Sequence, residues 1–457
     1  MLNRRQLITS SLAAIGGLAL TSCGQQPNDS VQALDLALAQ SPPAAGASLA
    51  ARPLPQVVQR AYTSRNLLWH SWTGRPTAAG SALYQRLSAA SYHGLRADSY
   101  LPQDMLLLGE LPRRRGQDLL LADQALSLGL HDFTGDLVYG RANPQGGNHG
   151  AAFTAALAAG NLGRWIRTNE PEGRSYQDLK QALTRTDLSP ETRSAIAINM
   201  ERLRWTPEAD WRRPYIRVNI PGAILETFEQ RRLKGSMRVV TGRTDRPTPS
   251  LVNPIVDLKF SPDWTLPSTI IEQDYLPKLR LDPDALNREV YEVRVKGQDS
   301  NAIRNWNVIS PDDIFIRQSS KEISPLGKVR FSMYNRDAIF LHDTPEQEHF
   351  GEDYRAHSSG CIRVQHAVDL SLWILSHQRQ SVSRDEVIER MNAGETSTIK
   401  LDRTIPASLQ YLTTYVDGSG TLKSATDIYE KDQELAQHLG FVIDDAQGAV
   451  APLDANT

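Results

Sequence analysis

The hydrophobic period changes once along this 457-residue chain, near Arg213, and that change constrains the fold more than any other feature. From Gln56 apolar residues recur at helical spacing in "QVVQRAYTSRNLLWHSW", "AGSALYQRLSAASYHGL", "DLLLADQALSLGLHDFTGDLVYG" and "SPETRSAIAINMERLRW". Gly94 closes the second run, and Ser189-Pro190-Glu191 opens the fourth as an N-cap followed by proline at the first helical position. Past Arg213 the pattern alternates. "YIRVNIPGAILETFE", "SMRVVTGR", "VYEVRV", "VRFSMY", "AIFLH" and "QYLTTYVD" read as strands set apart by Pro, Asp, Asn and Gly. "AVDLSLWILSHQ" and "RDEVIERMNAG" read as helices. The expectation is an α+β chain. A mostly helical domain covers 56–205, a β-rich, β-sandwich-like domain covers 212–432, and 433–457 form a C-terminal tail. Trp69 and Trp72 are expected in the core of the helical domain, and Arg113-Arg114-Arg115 on a solvated loop.

The residues before Gln56 are of another kind. Residues 1–23 carry Arg4 and Arg5, an apolar run from Leu7 to Leu20, and small residues ahead of Cys23. That is the build of an export signal, too short for a spanning helix. "LTSC" resembles a lipobox, where the chain is cut and Cys23 is lipidated; the plainer reading is a signal peptide that happens to hold a cysteine. "NRRQLI" resembles a twin-arginine signal, with Asn3 and Leu7 as departures. Residues 24–55 contain no aromatic residue and read as a flexible tether. The expectation is an exported, membrane-anchored protein of the cell envelope. Gly24 gives no aspartate retention cue, which points to an outer membrane where a cell has two. Lys+Arg 50 against Asp+Glu 52 leaves a formal charge of −2, so no field favours nucleic acid.

The chain has two cysteines. With Cys23 lipidated, Cys361 is left without a disulfide partner, which is odd for an exported protein. It is either a small buried hydrophobe or a reactive group. Its setting is "HSSGCIRV". Val329–Tyr334 and Ala338–His342 read as a hairpin around Asn335-Arg336-Asp337, which puts His342 at a strand end, 19 residues before Cys361. An imidazole beside a thiol takes its proton or lowers its pKa, and the thiolate attacks. Gly360 lets a substrate carbonyl approach and leaves backbone N–H groups to face an oxyanion. In an extended segment Arg363 shares a side with the thiol and offers its guanidinium to a carboxylate.

"AIFLHDTP" followed by "RAHSSGCIRV" resembles the L,D-transpeptidases with a YkuD-type catalytic domain, and most closely their large YcbB-like subgroup. "ERLRW", "RVNIPG", "MRVVTGRTDRPTP", "FSPDWTLP", "PLGKVRF", "IPASLQYLTTYVDGSG" and "DIYEKD" follow the subgroup's order, and the helical region with "RNLLW" and "GLRADSY" resembles its scaffold domain. The likeness spans most of 56–432. It implies that Cys361 is the nucleophile, His342 the base, Gly360 with its neighbours the oxyanion hole, and Arg363 an organiser of the site. It also implies a reaction: attack on a peptidoglycan tetrapeptide stem, release of D-Ala, and transfer of the acyl group to an amine as a 3→3 crosslink. Cys361 is then the expected target of carbapenems. Ser359, Tyr334 and Trp306 are expected to meet substrate, and 268–307 to form the subgroup's capping segment, with Tyr275 along the groove. Ser359 stands where many members carry histidine. The span from Tyr176 to Arg204 is too short for the wall-binding insert of larger members.

No cofactor and no metal are expected, and the protein is expected to act as a monomer on peptidoglycan stem peptides. His342, Asp343, His349, Asp353 and His357 do not follow a tight zinc spacing. Asp343 is a candidate to orient His342. Two other readings stay open: a hydrolase of the same fold with water as acceptor, and a catalytically silent wall-binding lipoprotein.

Overall fold

The computed structural model describes residues 52–62, 67–206, 208, 212–286, 290–320 and 324–443. The signal and the lipidation expectation at Cys23, the tether up to residue 51 and the tail beyond 443 lie outside the described residues. The chain divides into two compact units: Met1–Glu208 with Leu412–Thr457, and Ala209–Tyr411.

The helical unit is built on the 23-residue helix Gln117–Tyr139. Leu126, Leu130, Phe133 and Leu137 in its middle are buried, and Leu83, Leu87, Tyr100 and Phe153 pack on them. A helix buried nearly all round must satisfy its own polar side chains. Asp123 does so by accepting from the backbone N–H groups of Leu68, Trp69 and His70 at 2.8, 2.9 and 2.9 Å. Helix Pro190–Trp205 starts as its sequence reads, with Ser189 Oγ accepting from the Thr192 N–H at 3.2 Å. Trp69 is core at 5 % exposure, but Trp72 is 72 % exposed, on the tight turn closed by the Gly74 N–H to Ser71 carbonyl bond. The expectation of a second core tryptophan is therefore corrected. The end of the chain returns to this unit. Thr414–Val416 and Leu422–Ser424 form a two-stranded sheet, and helix Asp432–Leu439 follows. Leu412, Val416, Leu435 and Leu439 share a core with Tyr176, Leu179, Ile196 and Leu203. Residues 412–432 were expected in the strand-rich domain; their apolar side chains are buried among helices instead.

The second unit is strand-rich, as the period change requires. Its main sheet uses β1 Tyr215–Asn219, β2 Ile224–Glu229, β3 Arg232–Gly242, β4 Leu251–Phe260, β8 Val329–Met333, β9 Leu341–His342, β10 Ala356–Ser358, β11 Ile362–Val364 and β12 Ser397–Gln410. The order is β10-β3-β11-β9-β8-β4-β12-β1-β2, and β2 pairs again with β3. The strands from β3 round to β2 thus close on themselves, and the short β10 is left at the margin beside β3. Inside, Tyr215 stacks on Phe228 with centroids 4.9 Å apart, and Phe260, Phe331, Leu341 and Ile362 are buried. β1 is buried at every residue, and its Arg217 is neutralised by Glu226 directly opposite on β2, with Nε to Oε2 at 2.9 Å.

A smaller sheet, β5 Trp264–Thr265, β7 Ile314–Gln318 and β6 Tyr291–Val295, joins a helical stretch over 268–281. This cap reaches past both ends of the expected 268–307. It has its own core of Leu266, Leu276, Leu279, Val293, Ile303, Trp306 and Ile316. Trp306 is 1 % exposed in that core, so it does not line a substrate groove. The correction has a plain cause: the cap is too small to bury its apolar faces without one large aromatic residue. Trp306→Ala is expected to destabilise the cap by about 3–5 kcal/mol. Limited proteolysis checks this: cleavage within 264–318 should precede cleavage elsewhere in the variant and not in the parent chain.

Candidate active site

Three short strands position the site. β9 and β11 run parallel, with Ile362 opposite Leu341 and Arg363 opposite His342. β8 runs antiparallel to β9, with Arg330 opposite His342. Side chains alternate along a strand, and residues opposite each other share a face. Leu341, Ile362 and Val364 point into the core at 0 % exposure. The other face therefore carries Arg330, His342, Arg363 and, one residue before Ile362, Cys361. The expectation that Arg363 and the thiol share a side agrees with this register.

The hairpin before His342 is shorter in its strands and longer in its loop than the sequence reads. Asn335 holds that loop: its Nδ2 donates to the Met333 and Ile339 carbonyls at 3.1 and 2.6 Å, and its Oδ1 accepts from the Asp337 and Ile339 N–H groups at 3.1 and 3.0 Å. Ala338 is forced to φ +53°, a region that costs a residue with a Cβ. Its carbonyl accepts the Cys361 thiol at 3.8 Å. The thiol thus donates to Ala338 and not to His342.

The turn before Cys361 is braced from several sides. Gly360 adopts φ +112°, and a Cβ there would meet Ile339 Cδ1 at 3.2 Å. Its N–H donates to Ser358 Oγ at 3.1 Å, and Ser358 Oγ donates to the Cys361 carbonyl at 2.6 Å. Thr248 Oγ1 donates to the Gly360 carbonyl at 2.7 Å and accepts from the Gly242 N–H at 2.8 Å. The Gly360 N–H is therefore engaged within the turn.

Cys361 is half-buried, and burial pushes its thiol up to about 11 against the hydrogen bond from the Phe340 backbone and the positive Arg330 and Arg363. His342 is 4 % exposed. Burial, joined by Arg363 and Arg330, drives its imidazole down to about 4 against the Asp343 and Leu326 carbonyls. Both shifts favour a neutral thiol beside a neutral imidazole over a thiolate–imidazolium pair. His342 Nδ1 lies 2.5 Å from the Asp343 carbonyl. A carbonyl only accepts, so Nδ1 carries the proton and Nε2 is the basic nitrogen. Asp343 orients His342 as anticipated, but through its backbone; its carboxylate accepts from the Lys328 N–H at 2.8 Å.

Arg363 pairs with Glu346. Ser359 is exposed, and its Oγ accepts from Arg246 Nη1 at 3.2 Å. Tyr334 is 76 % exposed where β8 ends, open to an incoming chain. Tyr275 packs edge-on against Tyr291 in the cap, centroids 5.9 Å apart.

Four supporting residues were not singled out from the sequence: Arg246, Thr248, Glu346 and Ser358. Arg246 grips Asp274 through Nη1 and Nη2 at 2.6 and 2.7 Å and Gln273 through Nε at 2.9 Å. It holds the Asp274 carboxyl below the usual range and ties the cap's helical stretch to the catalytic turn. The signal for Arg246 and Thr248 was the quoted "MRVVTGRTDRPTP", which marks a segment and not a role.

Comparison with known proteins follows the two units. Residues 213–388 match the L,D-transpeptidase catalytic domain called YkuD, and 56–183 match the Scaffold domain. A Haemophilus influenzae protein named "Putative L,D-transpeptidase" is 26 % identical over 398 residues, which are 83 % of this chain and 78 % of that one. Among solved structures, an L,D-transpeptidase from Mycobacterium smegmatis covers 43 % of this chain at 11 % identity and a TM-score of 0.21. L,D-transpeptidase 3 from Mycobacterium tuberculosis does so at 13 % and 0.21. This chain spans 58 % and 61 % of those two.

Proposed function

Because the chain belongs to the L,D-transpeptidases, joining a Scaffold domain to a YkuD catalytic domain, we propose that it crosslinks peptidoglycan through an acyl-enzyme on Cys361. Sγ attacks the carbonyl carbon of the third residue of a tetrapeptide stem, and the thiol proton passes to His342 Nε2. The C–N bond to D-Ala breaks, its nitrogen takes that proton, and a thioester remains. An amine of a second stem then attacks the thioester, gives up a proton to His342, and expels Sγ, which is reprotonated. The Cys361 N–H serves the oxyanion, since that of Gly360 is held by Ser358. Arg363 and Arg330 add positive charge on the same face, and Ser359 and Tyr334 meet the stem.

The observation that carries this reading is the β9–β11 register, which sets Cys361, His342 and Arg363 on one face behind a glycine turn. Export and lipidation at Cys23 complete the proposal, placing a monomer at the envelope membrane beside its substrate, with Cys361 open to carbapenems. Mass spectrometry of the purified chain with disaccharide-tetrapeptide tests it. The expected product is a crosslinked dimer lighter by one D-Ala. Tripeptide alone would mean that water is the acceptor, and unchanged substrate would favour a silent wall binder.

A further inference from the structure

The loop between His342 and Cys361 gathers a second set of functional side chains. His349 Nδ1 lies 2.9 Å from Glu352 Oε1, and His357 Nε2 lies 2.6 Å from Glu352 Oε2. The two imidazoles overlie each other with centroids 4.6 Å apart. His357 Nε2 also lies 3.0 Å from the Tyr354 carbonyl. Two imidazoles and one carboxylate, with ligand atoms all within 4.8 Å of one another, form the donor set that a borderline cation such as Zn²⁺ takes.

The hydrogen bonds of His349 are compatible with such a cation. Its Nδ1 faces Glu352, and its Nε2 faces Glu346 Oε2 at 3.3 Å. Carboxylates only accept, and a neutral imidazole has one N–H, so the ring serves both either as an imidazolium or with a cation in place of one proton. With a cation in place of the Nδ1 proton, Nε2–H donates to Glu346. A metal-bound histidine whose other nitrogen donates to a carboxylate is a recurrent arrangement. Zinc bonds of about 2.0–2.1 Å in a tetrahedron place ligand atoms roughly 3.3 Å apart. The pairs at 2.9 and 2.6 Å would open and any wider pair within the 4.8 Å cluster would close, and side-chain exposures of 24 %, 44 % and 30 % for His349, Glu352 and His357 leave room for both movements.

We propose that His349, Glu352 and His357 bind one Zn²⁺, with water completing the tetrahedron, and that Glu346 couples this metal to Arg363 of the active site. Glu346 is shared between His349 and Arg363. Fixing the His349 ring therefore fixes the carboxylate that holds the guanidinium, and His357 sits on β10, directly before the catalytic turn. A second cluster, His131, Asp132 and His149, is less suited. Its Asp132 is already neutralised by Arg52 at 2.7 Å, and a cation there would meet a guanidinium.

The test is titration of the full chain in detergent with Zn²⁺ against a chromophoric chelator, in a Cys361→Ala background that removes the thiol as a competing ligand. Its readout is metal binding, so it stands apart from the activity proposed above. One zinc per chain is expected, with affinity at least 30-fold weaker in His349→Ala and in His357→Ala and about 10-fold weaker in Glu346→Gln, the size usual for a partner of a metal-bound histidine. Circular dichroism melts establish that each variant is folded. Unchanged affinity in both histidine variants, or its loss in His131→Ala instead, overturns the site. Unchanged affinity in Glu346→Gln overturns the coupling to Arg363.

Discussion

Cys361→Ala is expected to lower turnover on the order of 10⁴-fold or more while leaving the melting temperature close to that of the parent chain. The two halves of this result have separate causes. In the proposed reaction the sulfur carries the acyl chain, and Cys361 is the one cysteine among the described residues. Its side chain is half-buried, and the turn around it is held by hydrogen bonds of Ser358, Thr248 and the glycine backbone that do not involve the sulfur. Removing one half-buried sulfur therefore costs little packing. Single-turnover assays with intact-mass detection of the thioester, beside a thermal melt, decide the matter. Residual turnover above a hundredth of the parent rate would place the nucleophile elsewhere.

The acid limb of the pH–rate profile is the second large effect. His342 can accept a proton only while neutral, and burial holds its imidazole at about 4. kcat/KM should thus stay level down to about pH 5 and fall below it, whereas an ordinary histidine base would fade near 6.5. His342→Ala should lower kcat/KM on the order of 10²–10⁴-fold and abolish that limb. Arg363→Gln, which removes one of the charges depressing the ring, should move the limb upward. A wild-type limb at 6.5 would refute the buried base. Stability follows with its own sign. Between pH 4 and 6.5 the unfolded chain binds more protons at this position than the folded one, so His342 lowers stability as pH drops through that window and adds no further loss below it. His93, buried in the helical unit and also near 4, acts in the same direction.

The sequence was most legible where one local rule decided the outcome. The period change near Arg213, the Ser189 cap and the glycine before Cys361 each rest on few residues, and each has its structural counterpart. Asp343 was the right residue by the wrong atom, because adjacency in sequence favours a backbone carbonyl over a side chain. What was not legible depends on contacts far apart in sequence. Arg246 finds Asp274 and Ser359 only once the cap is folded. Trp306 and Trp72 exchanged expectations for a similar reason: an aromatic residue reads alike whether it fills a small core or projects from a turn. The run "QYLTTYVD" looked like one strand, yet Gln410 ends a strand of one unit and Thr414 begins a strand of the other.

That break has a consequence for the order in which the protein can be assembled. The core shared by Tyr176, Leu179, Ile196 and Leu203 is filled from the far end of the chain by Leu412, Val416, Leu435 and Leu439. Helices Arg174–Ala182 and Pro190–Trp205 leave the ribosome early with an apolar face that has no cover until some two hundred more residues have followed. Residues 209–411 can close their sheet in the meantime, since the strands they need lie within that span. The unit that is begun first is thus completed last, and a chain stopped at Tyr411 would carry a finished catalytic half behind an unfinished partner.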